Sequence, residues 1–150
     1  MFLRALIAFL ALPGIVALLI PAFIGARELN AGGTFHAPGL MLLVPAFAAL
    51  LWCVRDFYVA GKGTLAPWSP PLKLVSVGLY RYSRNPMYVA VALMLIGWAA
   101  SFWSVTLAIY TCFVIVAFQL RVVFGEEPWL ARTHGAAWEE YKSRVPRWLL

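Results

Sequence analysis

The sequence is poor in the side chains that cross-link proteins or bind metals. It contains two cysteines and two histidines in 150 residues. Cys53 and Cys112 each lie within an apolar run and far apart, which is typical of small core residues and predicts no disulfide. His36 and His134 lie in separate segments, so the sequence predicts no zinc site either.

Acidic residues and the motifs of soluble nucleotide-binding proteins are also scarce. The chain has six Asp and Glu residues, and Asp56 is the single acid within the apolar segments. Proton-coupled transport needs carboxylates that face the interior of a bundle, so it is disfavoured. The sequence has no GxGxxG, P-loop, HExxH or GxSxG motif, which excludes the soluble nucleotide-binding folds.

Apolar residues are what the chain has in abundance. They make up 63% of it and its mean hydropathy is +0.83, whereas soluble domains are about 45 to 50% apolar. We predict an all-α integral membrane bundle of about four transmembrane helices in a single domain, 1–150. The candidate spans are 3–24, 39–60, 88–101 and 104–124. Because three spans follow the first, we expect a retained helix rather than a cleaved signal peptide.

Three prolines lie inside the candidate spans. Pro13, Pro21 and Pro45 each remove one backbone N–H from a helical ladder. Membrane helices tolerate such prolines as kinks when neighbouring groups satisfy the freed carbonyls. We therefore expect bent helices rather than breaks in the spans.

The positive charge of the chain follows its predicted topology. Lys and Arg number twelve and the net charge is +6. If the N-terminus is cytosolic and the chain crosses four times, all of these residues but Arg27 fall on the cytosolic side. The surplus then reflects topology and attraction to anionic lipids, not nucleic acid. Both termini, the loop 61–86 and the tail after Glu126 are predicted to be cytosolic.

The third and fourth spans are joined by a very short, uncharged turn at Phe102 and Trp103. Such a turn predicts a tight antiparallel hairpin whose other two ends lie close together. Those ends carry Arg84-Asn85-Pro86 on one side and Arg121 to Glu127 on the other. The topology thus predicts one polar site made from both.

The densest polar stretch beside a span is residues 78–88, GLYRYSRNPMY. Asn85 and Pro86 have a simple explanation, because Asn caps helices and Pro favours their first turn. Arg81 and Arg84 fit as positive-inside anchors, and the tyrosines fit as interfacial aromatics. The concentration of all of them in one short segment favours recognition of a polar ligand.

The two flanking segments allow more than one interpretation. Residues 61–71 contain too many glycines and prolines for a regular element, and Trp68 favours an ordered loop, with a lid as one role. Glu126-Glu127 before Pro128 fits either the start of a helix or a carboxylate that binds an amine or ribose hydroxyls.

The tail shows helical periodicity. Residues at spacings of three and four predict an interfacial amphipathic helix over 126–145 that folds back under the bundle. They are Glu126, Leu130, His134, Trp138 and Tyr141. His134 on this stripe fits a packing or hydrogen-bonding residue better than a ligand.

Several short motifs follow one another through the rest of the chain. They are Gly-Lys-Gly-Thr-x-x-Pro from Gly61, Leu74-Val75-x-x-Gly78-x-Tyr80-Arg81-x-x-Arg84-Asn85-Pro86-Met87-Tyr88, Glu126-Glu127-x-x-Leu130, and Gly135 and Tyr141 before Val145-Pro146-Arg147-Trp148. In this order and spacing, the chain from about Gly61 to Trp148 resembles the isoprenylcysteine carboxyl methyltransferase and phospholipid methyltransferase family.

The resemblance implies S-adenosylmethionine as methyl donor, bound on the cytosolic side without a Rossmann domain. By the same resemblance, the cofactor pocket is lined by Leu74, Val75, Tyr80, Arg84, Asn85, Pro86 and Glu126. Arg121 is implied as the arginine that orients the substrate.

The chain departs from the family pattern at two places. Asn85 stands where eukaryotic members have a histidine, so it keeps a hydrogen-bonding role and loses a protonatable one. His134 and Trp138 stand where Phe and Tyr are usual in the tail, which changes the shape of the pocket.

The residues are compatible with the implied chemistry. Methyl transfer from a sulfonium is an in-line displacement that depends on alignment and desolvation, and it needs neither a metal nor a covalent nucleophile. Tyrosine faces attract a sulfonium, and a carboxylate such as Glu126 suits an ammonium or ribose. The acceptor is predicted to be lipid-borne or hydrophobic. A carboxylate acceptor needs no general base, whereas an amine or thiol does.

Two other functions stay open at this stage. An NADPH-dependent membrane reductase of the sterol reductase type has a similar Arg-His-Pro motif, although the short chain and Glu-Glu-x-x-Leu count against it. A non-catalytic membrane scaffold would retain the fold. The oligomeric state is open too, because Gly97, Ala99 and Ala100 suit packing within the bundle or between protomers.

Overall fold

A computed structural model of the protein describes residues 10–60 and 74–149. These residues form helices joined by short turns, with no strand among them, and the all-α prediction is confirmed. The start of the predicted span 3–24 and the predicted loop 61–71 with Trp68 lie outside the described residues.

The described chain contains six α-helices. They are α1 (Ile20–Asn30), α2 (Leu40–Val59), α3 (Pro86–Phe102), α4 (Val105–Arg121), α5 (Glu127–His134) and α6 (Ala136–Arg144). Wider π-helical segments lie before α1, at Leu10–Leu19, and between α4 and α5, at Val122–Glu126. Short 3-10 turns at Ala37–Gly39 and Gly78–Arg81 lie ahead of α2 and α3.

Within the described residues, three helical runs are long and apolar enough to cross a membrane, namely Pro13–Asn30, Ala37–Val59 and Val105–His134. The helix α3 is apolar but shorter, with 17 residues, or roughly 26 Å of helix. The first and last of these runs end later than predicted, at Asn30 rather than residue 24 and at His134 rather than residue 124. The membrane setting is therefore supported by length and composition.

The helix around Pro21 is kept in place by its neighbours. Because Pro21 has no N–H, one carbonyl of the preceding turn loses its helical donor. The indole Nε1 of Trp98 donates to the carbonyl oxygen of Ala17 at 3.0 Å, and the hydroxyl of Tyr110 donates to that of Val16 at 2.9 Å. Side chains of α3 and α4 thus bond backbone carbonyls of the first span beside its proline, as expected for a membrane helix.

The helices α2 and α3 form the most extensive contact in the bundle. Their shared core, which α4 joins through Val114, consists of small and aliphatic side chains: Ala46, Leu50, Ala90, Val91, Met94 and Leu95. Gly97 lies inside this contact, because a Cβ there would be 3.1 Å from the carbonyl oxygen of Gly39. Close approach of backbones through small residues is common in membrane bundles.

The two cysteines differ in their surroundings. Cys53 is fully buried and packs with Val75 and Tyr80. Cys112 is exposed on the outer face of α4, so the prediction that it is a core residue is wrong. In a membrane helix an apolar run has a lipid-facing side as well as a buried one, and hydrophobicity alone does not separate them.

The predicted hairpin between the last two spans is confirmed. The helix α3 ends at Phe102, and Trp103 turns the chain with a φ of 49°. Ser104 then caps α4, because its hydroxyl accepts the backbone N–H of Leu107 at 3.2 Å. This turn leaves the start of α3 and the end of α4 side by side at the opposite end of the bundle.

The predicted single helix 126–145 is instead two helices, α5 and α6. They separate at Gly135, whose φ of 51° and ψ of −121° are essentially restricted to glycine. The bend assembles a hydrophobic cluster below the bundle. Its members are Leu74, Leu130, Ala131, Trp138, Tyr141 and Val145.

Candidate active site at the inner ends of α3 and α4

The start of α3 is bonded to the C-terminal tail. Asn85 precedes the helix but makes no capping bond, and its Nδ2 donates to the carbonyl oxygen of Arg147 at 3.0 Å. The backbone N–H of Arg84 donates to the carbonyl oxygen of Pro146 at 2.9 Å. Asn85 and Pro86 therefore start the helix as predicted, but the Asn85 side chain bonds the tail and does not cap the helix.

The helix α4 continues into α5 through the π-helical turn Val122–Glu126. Such turns change the direction of side chains and are frequent at functional sites. Glu126 ends the turn, and Glu127 begins α5 with Pro128 in its first turn. The acidic pair thus lies within one continuous helical run, Val105–His134, rather than at a free helix end, and both carboxylates have ionic partners.

Glu127 holds two arginines from different parts of the chain. Arg84 Nη1 donates to its Oε1 at 2.8 Å, and Arg147 makes a bidentate contact, Nε to Oε1 at 2.9 Å and Nη2 to Oε2 at 2.7 Å. The Arg84 and Glu127 side chains are only 10% and 12% exposed. The hydrogen bonds to Glu127 raise the pKa of Arg147. The guanidinium of Arg84 also lies 5.5 Å from the ring centre of Trp138.

Glu126 belongs to a second, more open group. Arg121 Nε donates to Glu126 Oε1 at 2.8 Å and to the Tyr88 hydroxyl oxygen at 3.0 Å. The Tyr88 hydroxyl donates to the same Glu126 Oε1. The Arg121 and Glu126 side chains are 50% and 33% exposed. This group, here called the Tyr88 triad, can therefore meet solvent or a ligand.

A third set of predicted residues packs against α2 and α6. Val75 and Tyr80 are buried beside Cys53, and Leu74 packs in the cluster below the bundle. The hydroxyl of Tyr141 donates to the carbonyl oxygen of Tyr80 at 2.7 Å. Burial raises the pKa of Tyr141 to about 12 and that of Tyr80 well above its ordinary value, so both hydroxyls stay neutral donors.

Several buried polar atoms near this site have no protein partner. Within residues 10–60 and 74–149 they include Asp56 Oδ2, Tyr80 Oη, Arg84 Nε and His134 Nε2. An unpaired buried polar atom costs free energy, so it is expected where a ligand completes the bonding. A ligand with amino, carboxylate and hydroxyl groups fits this mixture of donors and acceptors.

A groove of about 610 Å³ runs along α3 and α4 on the membrane side of the Tyr88 triad. Its walls are mostly aliphatic, and the last residues of the tail close one side. The lining is Tyr88, Val89, Ala92, Leu93, Ile115, Val116, Phe118, Gln119, Leu120, Trp148 and Leu149. Trp148 Nε1 donates to Gln119 Oε1 at 3.0 Å, which holds the tail against α4. Tyr88 is thus shared by the groove and the triad.

The structure brings most of the predicted site residues together. The segment Arg84-Asn85-Pro86 meets the segment Arg121 to Glu127 where α3 begins and α4 ends, through the bond from Arg84 to Glu127, as the hairpin predicted. Sequence reasoning did not predict the partners of Glu127, Arg147 and Tyr88, which make the bonds that connect these segments. The sequence signal for these bonds was the acidic pair Glu126-Glu127 in a chain with several arginines near the same end. Which glutamate pairs with which arginine depends on the π-helical turn.

Two of the comparisons with known proteins match methyltransferases. The phospholipid methyltransferase family model matches residues 34–137, which is more than half of the chain. A methanethiol S-methyltransferase of Crocosphaera subtropica (strain ATCC 51142 / BH68) is 32% identical over 85 residues, covering 51% of this chain and 29% of that protein. The chain thus spans less than a third of this relative's length. No solved structure shows significant similarity.

Proposed function

The chain belongs to the phospholipid methyltransferase family, and from this premise we propose that it is a membrane methyltransferase that uses S-adenosylmethionine. The observation that carries the proposal is the family match over residues 34–137. That region contains the start of α3, the π-helical turn and both glutamates, which the fold assembles into one polar site. We treat 1–150 as a single domain of this kind.

We assign the donor site to residues of the segment before α3, the start of α3 and the end of the π-helical turn. They are Leu74, Val75, Tyr80, Arg84, Asn85, Pro86 and Glu126. The unpartnered atoms of Tyr80 and Arg84 support this assignment, because they are buried and suited to a polar ligand. S-adenosylmethionine supplies an electrophilic methyl group on sulfur when it is bound. The task of these residues is to hold and orient it and to exclude water.

We assign the acceptor to the groove between α3 and α4. Its aliphatic walls suit a hydrophobic or lipid-borne acceptor that arrives from the bilayer. Arg121 lies beside Tyr88 at the polar end of this groove, where it would orient the reacting group. A thiol as small as methanethiol, the compound in the relative's name, would fill only a small part of the groove.

We further propose that the site faces the cytosol, as do both termini. The Tyr88 triad, Glu127 with its partners Arg84 and Arg147, and the tail all lie at one end of the bundle. Basic side chains concentrate at this same end, which is the arrangement of cytosolic faces. The donor would then reach the site from water and the acceptor from the membrane.

The decisive experiment is calorimetric titration of the detergent-solubilised protein with S-adenosylmethionine, with NADPH as the matched comparison. Saturable binding of S-adenosylmethionine alone is expected. Binding of NADPH alone, or of neither ligand by a folded protein, would overturn the proposal. Glu126→Gln tests one residue of the assignment, with Glu140→Gln as a surface control. Unchanged affinity in Glu126→Gln would remove Glu126 from the donor site.

A further inference from the structure

The Tyr88 triad has the bonding pattern of a proton relay that opens into an apolar groove. We propose that Tyr88 removes the proton from the methyl acceptor and passes its own proton to Glu126, so that the acceptor is a thiol or amine with an apolar tail. This inference rests on the proposed methyltransferase function and narrows its substrate class.

The Tyr88 oxygen is placed for this role. Its hydrogen is directed to Glu126 Oε1, and one of its lone pairs accepts Arg121 Nε at 3.0 Å. One lone pair is left to accept a hydrogen bond from a group in the groove. The Tyr88 ring packs against Phe118, with ring centres 4.4 Å apart. This contact fixes the position of the Tyr88 hydroxyl oxygen.

Other polar groups of the groove are less suited to the task. The lining carries polar atoms on Tyr88, Gln119 and Trp148. Gln119 Oε1 is already occupied by Trp148 Nε1, and neither an amide nor an indole takes up protons near neutral pH. Among the groove residues, Tyr88 is the side chain joined to a carboxylate.

The proton and electron balance of the step is complete. The acceptor's sulfur or nitrogen forms a bond to the methyl carbon, while the carbon–sulfur bond of the donor breaks and its electron pair stays on sulfur. The acceptor's proton moves to Tyr88 Oη as the Tyr88 proton moves to Glu126. Glu126 is 33% exposed and returns the proton to water. Arg121 acts as a positioning residue that holds both oxygens.

The titratable and charged groups that face Tyr88 are few. Within the described residues they are Arg121 and Glu126 from the α4 side and Tyr80 from the loop before α3. Arg121 stays protonated at all working pH values. A pH effect of altering Tyr88 is therefore expected to report on the acceptor's own ionisation.

The test compares two thiols in the unaltered protein and in Tyr88→Phe. 1-Octanethiol is protonated at about pH 8, whereas 4-butylthiophenol is more acidic and largely ionised there. With saturating donor, Tyr88→Phe is expected to slow methylation of octanethiol about 100-fold or more and to leave butylthiophenol within about threefold. The octanethiol rate of the variant should recover as the pH rises toward that of thiol ionisation. Tyr82→Phe is the matched surface control.

Other outcomes would overturn the inference. Equal slowing of both thiols would mean that Tyr88 only shapes the site, and lost S-adenosylmethionine binding would place it in the donor pocket. Donor binding without methylation of any thiol or amine by the unaltered protein would reject the acceptor class and leave the donor assignment standing. If Tyr88→Phe does not fold, the unaltered protein must show a normal solvent deuterium isotope effect on methylation of octanethiol and none on methylation of butylthiophenol, or the relay is rejected.

Discussion

Glu126 and Glu127 are adjacent in the chain, yet they differ in burial and in their bonding partners. Glu127 is nearly buried and both of its oxygens are bonded to arginines. It joins α5, the start of α3 and the tail. Glu126 is more exposed and shares one oxygen with Arg121 and Tyr88. At the residue scale, Glu127 is a structural anchor and Glu126 borders the sites proposed for chemistry.

The first prediction concerns this anchor. Glu127→Gln leaves Arg84 and Arg147 without a counter-charge in a site that is largely shielded from water. Removing one partner of a buried pair costs about 3 to 5 kcal/mol, so we expect a loss of that size in the free energy of unfolding. Thermal unfolding in detergent measures it.

The matched control is Glu140→Gln. Glu140 pairs with Arg144 at 3.0 Å, and both side chains are 69% exposed. Exposed pairs of this kind contribute about 0.2 to 1 kcal/mol. If the two variants lose the same stability, Glu127 is not an anchor.

The second prediction concerns Tyr141. Tyr141→Phe leaves the buried carbonyl of Tyr80 without its donor, which costs about 1 to 3 kcal/mol. The pKa of Tyr141 rises from 10.0 to about 12 on folding, so its contribution is complete below pH 10 and is lost as the pH rises toward 12. The variant should therefore lose less stability than the unaltered protein over that alkaline range.

Chemical denaturation between neutral pH and pH 12 provides the measurement for Tyr141. Tyr82→Phe serves as the control, because Tyr82 is 70% exposed and its removal should leave the pH profile unchanged. Identical alkaline profiles in Tyr141→Phe and the unaltered protein would contradict the assignment.

At the element scale, two glycines set the geometry of the segments around the site. Both have positive φ, 57° at Gly78 and 51° at Gly135. A Cβ at Gly78 would overlap the Asp56 carboxylate, whereas a Cβ at Gly135 would meet nothing within 4 Å. The pair therefore separates backbone strain from steric overlap.

The third prediction compares alanine at these two positions. Gly135→Ala adds strain alone and should cost about 1 to 3 kcal/mol. Gly78→Ala adds the overlap with Asp56 to a similar strain, so its loss of stability should be clearly larger. Thermal unfolding of both variants in one detergent gives the comparison. A smaller loss for Gly78→Ala would mean that the turn before α3 moves freely away from α2.

The sequence predicts elements well where one local rule decides them. The short turn at Phe102 and Trp103 and the proline that opens α3 are of this kind. Asn85 fits a capping rule equally well, but the Arg147 carbonyl from the tail takes its amide. Helical periodicity through 126–145 likewise continues across Gly135, where tertiary packing of Trp138 favours a bend. Long-range partners decide these cases, and a local pattern does not contain them.

The same reasoning applies to the site. The hairpin alone predicts that Arg84 and Asn85 meet Arg121 and Glu126, because topology requires it. The π-helical turn decides which arginine binds each glutamate, and no periodicity in the sequence predicts that turn. Tyr88 looks like an interfacial aromatic until its hydroxyl is seen between a carboxylate and a groove. The sequence therefore predicts where the site residues lie more readily than it predicts their hydrogen-bond and ion-pair partners.

At the scale of the whole molecule, the two ends of the bundle have opposite character. One end carries the α3–α4 turn, where the backbone N–H of His36 donates to the carbonyl of Ser101 at 2.7 Å. The other end carries the acidic pair, the tail and all the described arginines except Arg27. The polar end gives the proposed enzyme a solvent-exposed face for a charged donor. The groove along α3 and α4 would instead be open to the bilayer for an apolar acceptor.

The last prediction tests this orientation. In a background with Cys53→Ala and Cys112→Ala, a single cysteine is placed at exposed Ala31, in the loop before α2, or at exposed Ser143, in α6. A membrane-impermeant maleimide added to intact cells should label Ala31→Cys and spare Ser143→Cys until the membrane is permeabilised. Labelling both positions from outside would mean that they lie on one face. The reverse pattern would place the site outside the cell, where the basic residues of the tail would oppose the positive-inside rule.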